Sequence, residues 1–141
     1  MFKFEQIEHT ADLGLLVKGD TLAELFRAAW EGWRMLVGPS GYLPENLPVE
    51  FKLKAEEPEM LLVEFLSEIN FRFFVKQRLV EKIKELNVFQ KGGIWQLQAE
   101  CFFAVPGDFP DFTNEIKAVT FHQLKIEQKE GWYQTRIFFD V

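Results

Sequence analysis

Phe2, Phe4 and Gln6 alternate with Lys3 and Glu5, a short strand signal that runs into Ile7. The polar stretch Glu8-His9-Thr10-Ala11-Asp12 follows, and Leu13 to Lys18 reads as a second apolar strand closed by Gly19-Asp20. Thr21 and Glu24 make a T-x-x-E capping box, so a helix should start there. Leu22, Leu25, Phe26, Ala29, Trp30, Trp33, Leu36 and Val37 keep the spacing that forms one stripe on a helix, which Gly38-Pro39 should end. Gly41 to Pro48 reads as a loop. Val49, Phe51, Leu53 and Ala55 then alternate with Glu50, Lys52, Lys54 and Glu56 as a one-sided strand.

Pro58 suits a first helical turn, and Leu62, Phe65, Leu66 and Ile69 continue it as a second amphipathic helix. Phe71 to Val75 reads as a strand, whereas Leu79, Val80, Ile83 and Leu86 sit at helical spacing, a conflict periodicity does not resolve. Gly92-Gly93 should turn a hairpin into a strand whose inner face carries Trp95, Leu97, Ala99, Cys101, Phe103 and Val105. Pro106 to Asn114 reads as a loop, followed by strands over Lys117 to Gln128 and Trp132 to Asp140 with a turn at Gly131. Strands bunched late and joined by short turns favour an α+β fold over a doubly wound parallel sheet. The expectation is a single domain over residues 1–141, a mostly antiparallel sheet with two main helices packed on one face.

A chain of 141 residues can bury a core without staples, and its 48% apolar share is that of a globular protein. The formal charge of −6 disfavours strong direct nucleic-acid binding and suits a basic protein partner or a cation. A single cysteine, Cys101, excludes an internal disulfide and fits a reducing compartment. No apolar run approaches the ~20 residues that span a bilayer, so the expected location is cytoplasmic, without a membrane partner. Sixteen phenylalanines stand beside two tyrosines, and most fall at positions that suit a core.

Phosphate-binding glycine loops, nucleophile elbows and H-E-x-x-H are absent, and two histidines cannot build a three-histidine zinc site. Cys101 falls on the apolar face of its strand and reads as a small buried hydrophobe. His9 and Asp12 are close enough in the chain to converge on one ion or one hydrogen-bond network; the alternative is that Thr10 and Asp12 simply satisfy loop backbone groups. Asp140 lies beside the α-carboxylate of Val141. Should the last strand bring that pair next to Asp12, three hard oxygen donors result, a set that prefers Ca²⁺, Mg²⁺ or Mn²⁺ to zinc. Alternation in Glu115 to His122 places Lys117, Val119 and Phe121 on one face. Ala118, Thr120 and His122 fall on the other, with His122 partly buried.

These places carry a resemblance. Glu8-His9-Thr10-Ala11-Asp12-Leu13-Gly14, Glu115-Ile116-Lys117-Ala118-Val119-Thr120-Phe121-His122 and Phe139-Asp140-Val141 resemble, in order, three signatures of the archease family. Gly19 to Ala29 and Met60 to Ile69 resemble its two helices, while Ser67 and Asn70-Phe71-Arg72 depart from its pattern. The resemblance implies a small α+β protein that is not itself an enzyme. Its implied role is to assist an RtcB-type RNA ligase in tRNA splicing and RNA repair, promoting guanylylation and turnover of the ligase and broadening its use of nucleoside triphosphates. It implies a divalent cation, Ca²⁺ above Mg²⁺ or Mn²⁺, on Asp12, Asp140 and the Val141 carboxylate, and a role in activation for Lys117. His9, Thr120 and His122 would support and orient these groups. Two other readings are a chaperone or interaction module with an exposed face around Trp30 and Trp33, and a metal-dependent hydrolase on Asp12, His9 and Asp140. Phe121, Phe138 and Phe139 are expected to brace the polar site.

Overall fold

The computed structural model describes residues 2–7 and 12–141, which gather into two compact units, Met1–Val37 with Asn114–Val141, and Gly38–Thr113. The first unit contains strand β1 (Phe2–Ile7), β2 (Leu13–Gly19) and helix α1 (Leu22–Val37). From the end of the chain it adds β6 (Ala118–Val119), β7 (Glu127–Lys129) and β8 (Trp132–Asp140). These strands pair antiparallel in the order β1-β2-β8-β6, with β7 also on β8.

α1 begins where the capping box placed it. The Glu24 amide donates to Thr21 Oγ1 at 3.1 Å, and Glu24 Oε2 accepts from the Asp20 amide at 2.9 Å. One of the helix's orphan donors and the chain entering it are thereby tied down. Its apolar stripe, with Leu25, Phe26 and Trp33 fully buried, packs on β1, β2 and β8 over Leu15, Val17 and Ile137. Each such side chain contributes roughly 1.5–3 kcal/mol by leaving water.

The second unit holds β3 (Ser40–Ala55), α2 (Pro58–Phe74), β4 (Leu79–Lys91) and β5 (Ile94–Asp111), with sheet order β3-β5-β4, again antiparallel. α2 lays Leu61, Leu62, Phe65, Leu66, Ile69 and Phe73 on the inner side of this sheet, where Phe51, Leu97, Ala99, Cys101 and Phe103 are buried. Cys101 is buried and reduced, as its apolar register requires. Gly92 and Gly93, at φ of 60° and 82°, make the expected hairpin turn between β4 and β5.

The α+β class, the antiparallel pairing and the two main helices are as expected. The strands, however, sort into two sheets, and each sheet carries one helix. Four further differences have local causes. Phe71 to Phe74 complete α2 instead of forming a strand, as Val75 N donating to Phe71 O at 2.9 Å shows. Leu79, Val80, Ile83 and Leu86 belong to a strand. Register shifts at Val80/Lys82 and Ile83/Glu85 each insert one extra residue, which turns a period of two into a spacing of three. Gly41 to Pro48 and Pro106 to Asp111 are not loops but the outer parts of β3 and β5, paired from Tyr42↔Pro106 to Pro44↔Ala104. β3 is an edge strand and β5 beyond Ala104 pairs with β3 alone, so the prolines there lie where the strand is paired on one side only. Finally, Lys117 to Gln128 is no continuous strand, because Gln123 at φ 54° and the Leu124 N to Phe121 O bond of 3.0 Å turn the chain after Val119.

Candidate functional site

β8 organises one end of the first unit. It pairs with β2 through Leu13↔Phe139 and Gly14↔Phe138, and with β6 through Ala118↔Asp140 and Val119↔Phe139. Asp12 directly precedes Leu13 and Asp140 directly follows Phe139, so the antiparallel register sets the two aspartates at the same end of adjacent strands. The Lys117 amide donates to Asp140 O at 2.8 Å. Three stretches far apart in sequence thus meet: residues 12–14, 117–120 and 138–141.

The support beneath this edge is apolar. Phe138, Phe139, Ile116 and Val119 are buried, while Lys117, Asp140 and Val141 are exposed and Asp12 is half-buried. Phe138 O accepts from both the Thr120 amide and Thr120 Oγ1, each at 3.0 Å. Thr120 Oγ1 in turn accepts from the His122 amide at 3.3 Å, and the His122 ring lies 5.4 Å from that of Phe138. Thr120 therefore fixes the path from Lys117 to His122 against β8. His122 differs from expectation in being exposed, because the turn after Val119 lifts it off the strand face. Phe121 is 58% exposed for the same reason, whereas Phe138 and Phe139 are buried. His9 lies outside the described residues.

Gly14 was quoted in the sequence only as part of a motif, yet it is what lets these pieces approach. A Cβ there would stand 2.7 Å from Ile7 Cγ1 and 2.8 Å from Phe138 Cε1. No signal in a single sequence marks that contact, since it forms only when β1, β2 and β8 pair.

Asp12 and Asp140 supply carboxylates at this edge. Among the described residues no cluster of three or more His, Cys, Asp or Glu side chains suited to a metal ion occurs. Carboxylate oxygens of this kind suit a hard cation such as Ca²⁺ or Mg²⁺ and are a poor set for zinc.

A model of the Archease protein family (MTH1598/TM1083) matches residues 4–141. The chain belongs to the archease family. The archease of Methanosarcina acetivorans is 30% identical over 143 residues, covering 99% of this chain and 96% of the relative. That of Pyrococcus furiosus is 27% identical, with the whole of each chain covered. Among solved structures, Methanobacterium thermoautotrophicum protein 1598 matches with a TM-score of 0.80 at 24% identity, covering 98% of each chain. An archease from Thermotoga maritima, described as a possible chaperone, matches with a TM-score of 0.65 at 23% identity over 97% and 96% of the two chains. These two share the archease fold. The family's match takes in all three signature segments, and in the fold the described parts of those segments lie side by side.

Proposed function

We propose that this archease is an accessory factor, not a catalyst, that activates an RtcB-type RNA ligase in tRNA splicing and RNA repair. It does so by promoting guanylylation and multiple turnover of the ligase and by widening the nucleoside triphosphates accepted. The observation that carries the reading is the convergence on β8 of Asp12, Lys117, Asp140 and Val141, which joins the family's signature segments into one exposed polar edge. Asp12, Asp140 and the Val141 carboxylate hold a divalent cation, Ca²⁺ in first place. Such a cation would neutralise the clustered carboxylates and offer a coordination position to a phosphate oxygen. Lys117, exposed and anchored by its amide to Asp140 O, presents a flexible ammonium to the ligase. Thr120 and His122 keep this edge in shape. A net charge of −6 steers the protein toward a basic, RNA-binding partner.

A chaperone built on an exposed tryptophan face is not favoured, since Trp30 is 4% exposed and Trp33 is fully buried. The decisive experiment measures GTP-dependent ligase guanylylation with the wild-type protein, Asp12→Ala and Asp140→Ala. Both variants should unfold like wild type and fail to stimulate. Full stimulation by both would sink the proposal.

A further inference from the structure

On the five-stranded sheet, Lys3 and Lys18 stand directly opposite one another in the β1–β2 ladder. Like charges so placed repel, and the arrangement is normally destabilising. No carboxylate among the described residues pairs with either ammonium. Lys18 Nζ instead lies 5.4 Å from the ring centroid of Trp132, the first residue of β8, which holds that cation at the wall of a cleft. The cleft has a volume of about 270 Å³ and is lined by Lys3, Lys18, Gly19, Asp20 and Trp132. Among the described residues, two cations against one carboxylate leave its wall with a net positive charge in a protein of net charge −6. It lies toward the opposite end of β2 and β8 from Asp12 and Asp140, since Lys18 pairs with Gln134 and Leu13 with Phe139.

We propose that this cleft binds a phosphate monoester, the anion bridging the ammonium groups of Lys3 and Lys18. A phosphate has enough oxygens to accept from both lysines at once, and it would relieve their mutual repulsion. Trp132 supports Lys18 from below and offers an apolar wall to whatever the phosphate is attached to. The volume is slightly under the ~300 Å³ at which sites enclosing a small molecule begin, so the cleft takes a phosphate and part of its ester and leaves the rest in solvent. Two sources share this chemistry, a free nucleoside monophosphate and the terminal phosphate of an RNA strand. Asp20 opposes binding and keeps the affinity modest.

The test follows the indole N–H signal of Trp132 by NMR while GMP, guanosine or a 5′-phosphorylated tetranucleotide is added to the whole protein. GMP should move the signal saturably and guanosine should not. Lys3→Gln and Lys18→Gln should each weaken GMP roughly tenfold, the loss of about one charge-assisted contact. Asp20→Asn should tighten it, which a purely structural role for the cleft would not produce. A phosphorylated strand that binds more tightly than GMP assigns the site to RNA ends, and equal or weaker binding assigns it to free nucleotide. Absence of a saturable shift with GMP, or an unchanged shift in the double lysine variant, overturns the proposal. Because no ligase is present, the outcome is independent of the activation reading.

Discussion

Replacing Gly14 by alanine tests the packing that brings the polar edge together. The new methyl would fall 2.7 Å from Ile7 Cγ1 and 2.8 Å from Phe138 Cε1, both well inside the ~3.5–4.0 Å at which carbons rest. Ile7 and the Phe138 ring must therefore retreat by roughly 1 Å. Overpacking of this kind costs about 1–3 kcal/mol. Alanine also stiffens the unfolded chain, which returns about 0.4–1 kcal/mol. The clash is the larger effect, leaving a net loss of about 1–2 kcal/mol. For a chain of 141 residues the unfolding entropy is about 0.3 kcal/mol per kelvin, so Tm should fall by roughly 3–7 °C. Thermal and urea unfolding measure this, and the Phe138→Leu background supplies the control. With the ring edge gone, the cost of Gly14→Ala should shrink by about 1 kcal/mol. An unchanged Tm for Gly14→Ala, or a cost that is the same in both backgrounds, would refute the contact as the cause. Because Phe138 O anchors Thr120 and its ring meets His122, a displaced Phe138 should also lower ligase stimulation.

Three other outcomes are expected. Thr120→Val removes the bonds to Phe138 O and from the His122 amide, so it should cost about 1–2 kcal/mol and speed hydrogen exchange at the His122 amide. Saturating Ca²⁺, at about 100 times its Kd, should stabilise the protein by about 2.7 kcal/mol, and chelation, Asp12→Ala or Asp140→Ala should abolish the gain. Burial raises the Tyr42 pKa above 10.0, so the folded state keeps a proton that the unfolded chain loses. The stability linked to that proton is complete below pH 10.0 and is lost as pH rises through the higher folded value. Tyr42→Phe should show a shallower alkaline loss in urea titrations.

What could be read from the sequence depended on whether a pattern is local. The Thr21–Glu24 cap, the α1 stripe and the Trp132–Asp140 strand each express their period within one element, and they appear as expected. β4 was hidden because two bulges stretch its inward spacing to three residues, which imitates a helix. The outer parts of β3 and β5 were hidden because prolines and glycines, ordinarily loop residues, are accommodated at a sheet edge. At the site, Asp12, Lys117 and Asp140 were singled out by residue type and by family resemblance, and the pairing of β2, β8 and β6 brings their segments together. Gly14 and the exposure of His122 depend on tertiary contacts and a left-handed residue at Gln123, neither of which has a local signature.

The bulges of β4 also divide the molecule into places where chain length can vary and places where it cannot. Removing one residue at Glu81 would delete the irregularity between Val80 and Lys82 and still leave Val80, Ile83 and Leu86 able to face inward. Removing one residue from β8, at Arg136 for instance, has no bulge to absorb it. Every side chain on one side of the gap would change faces, exchanging the places of Phe139 and Asp140 relative to the rest of the strand. β8 acts as a ruler for this fold, and insertions and deletions accumulated over evolution should be found in β4 and its neighbours while β8 keeps its count.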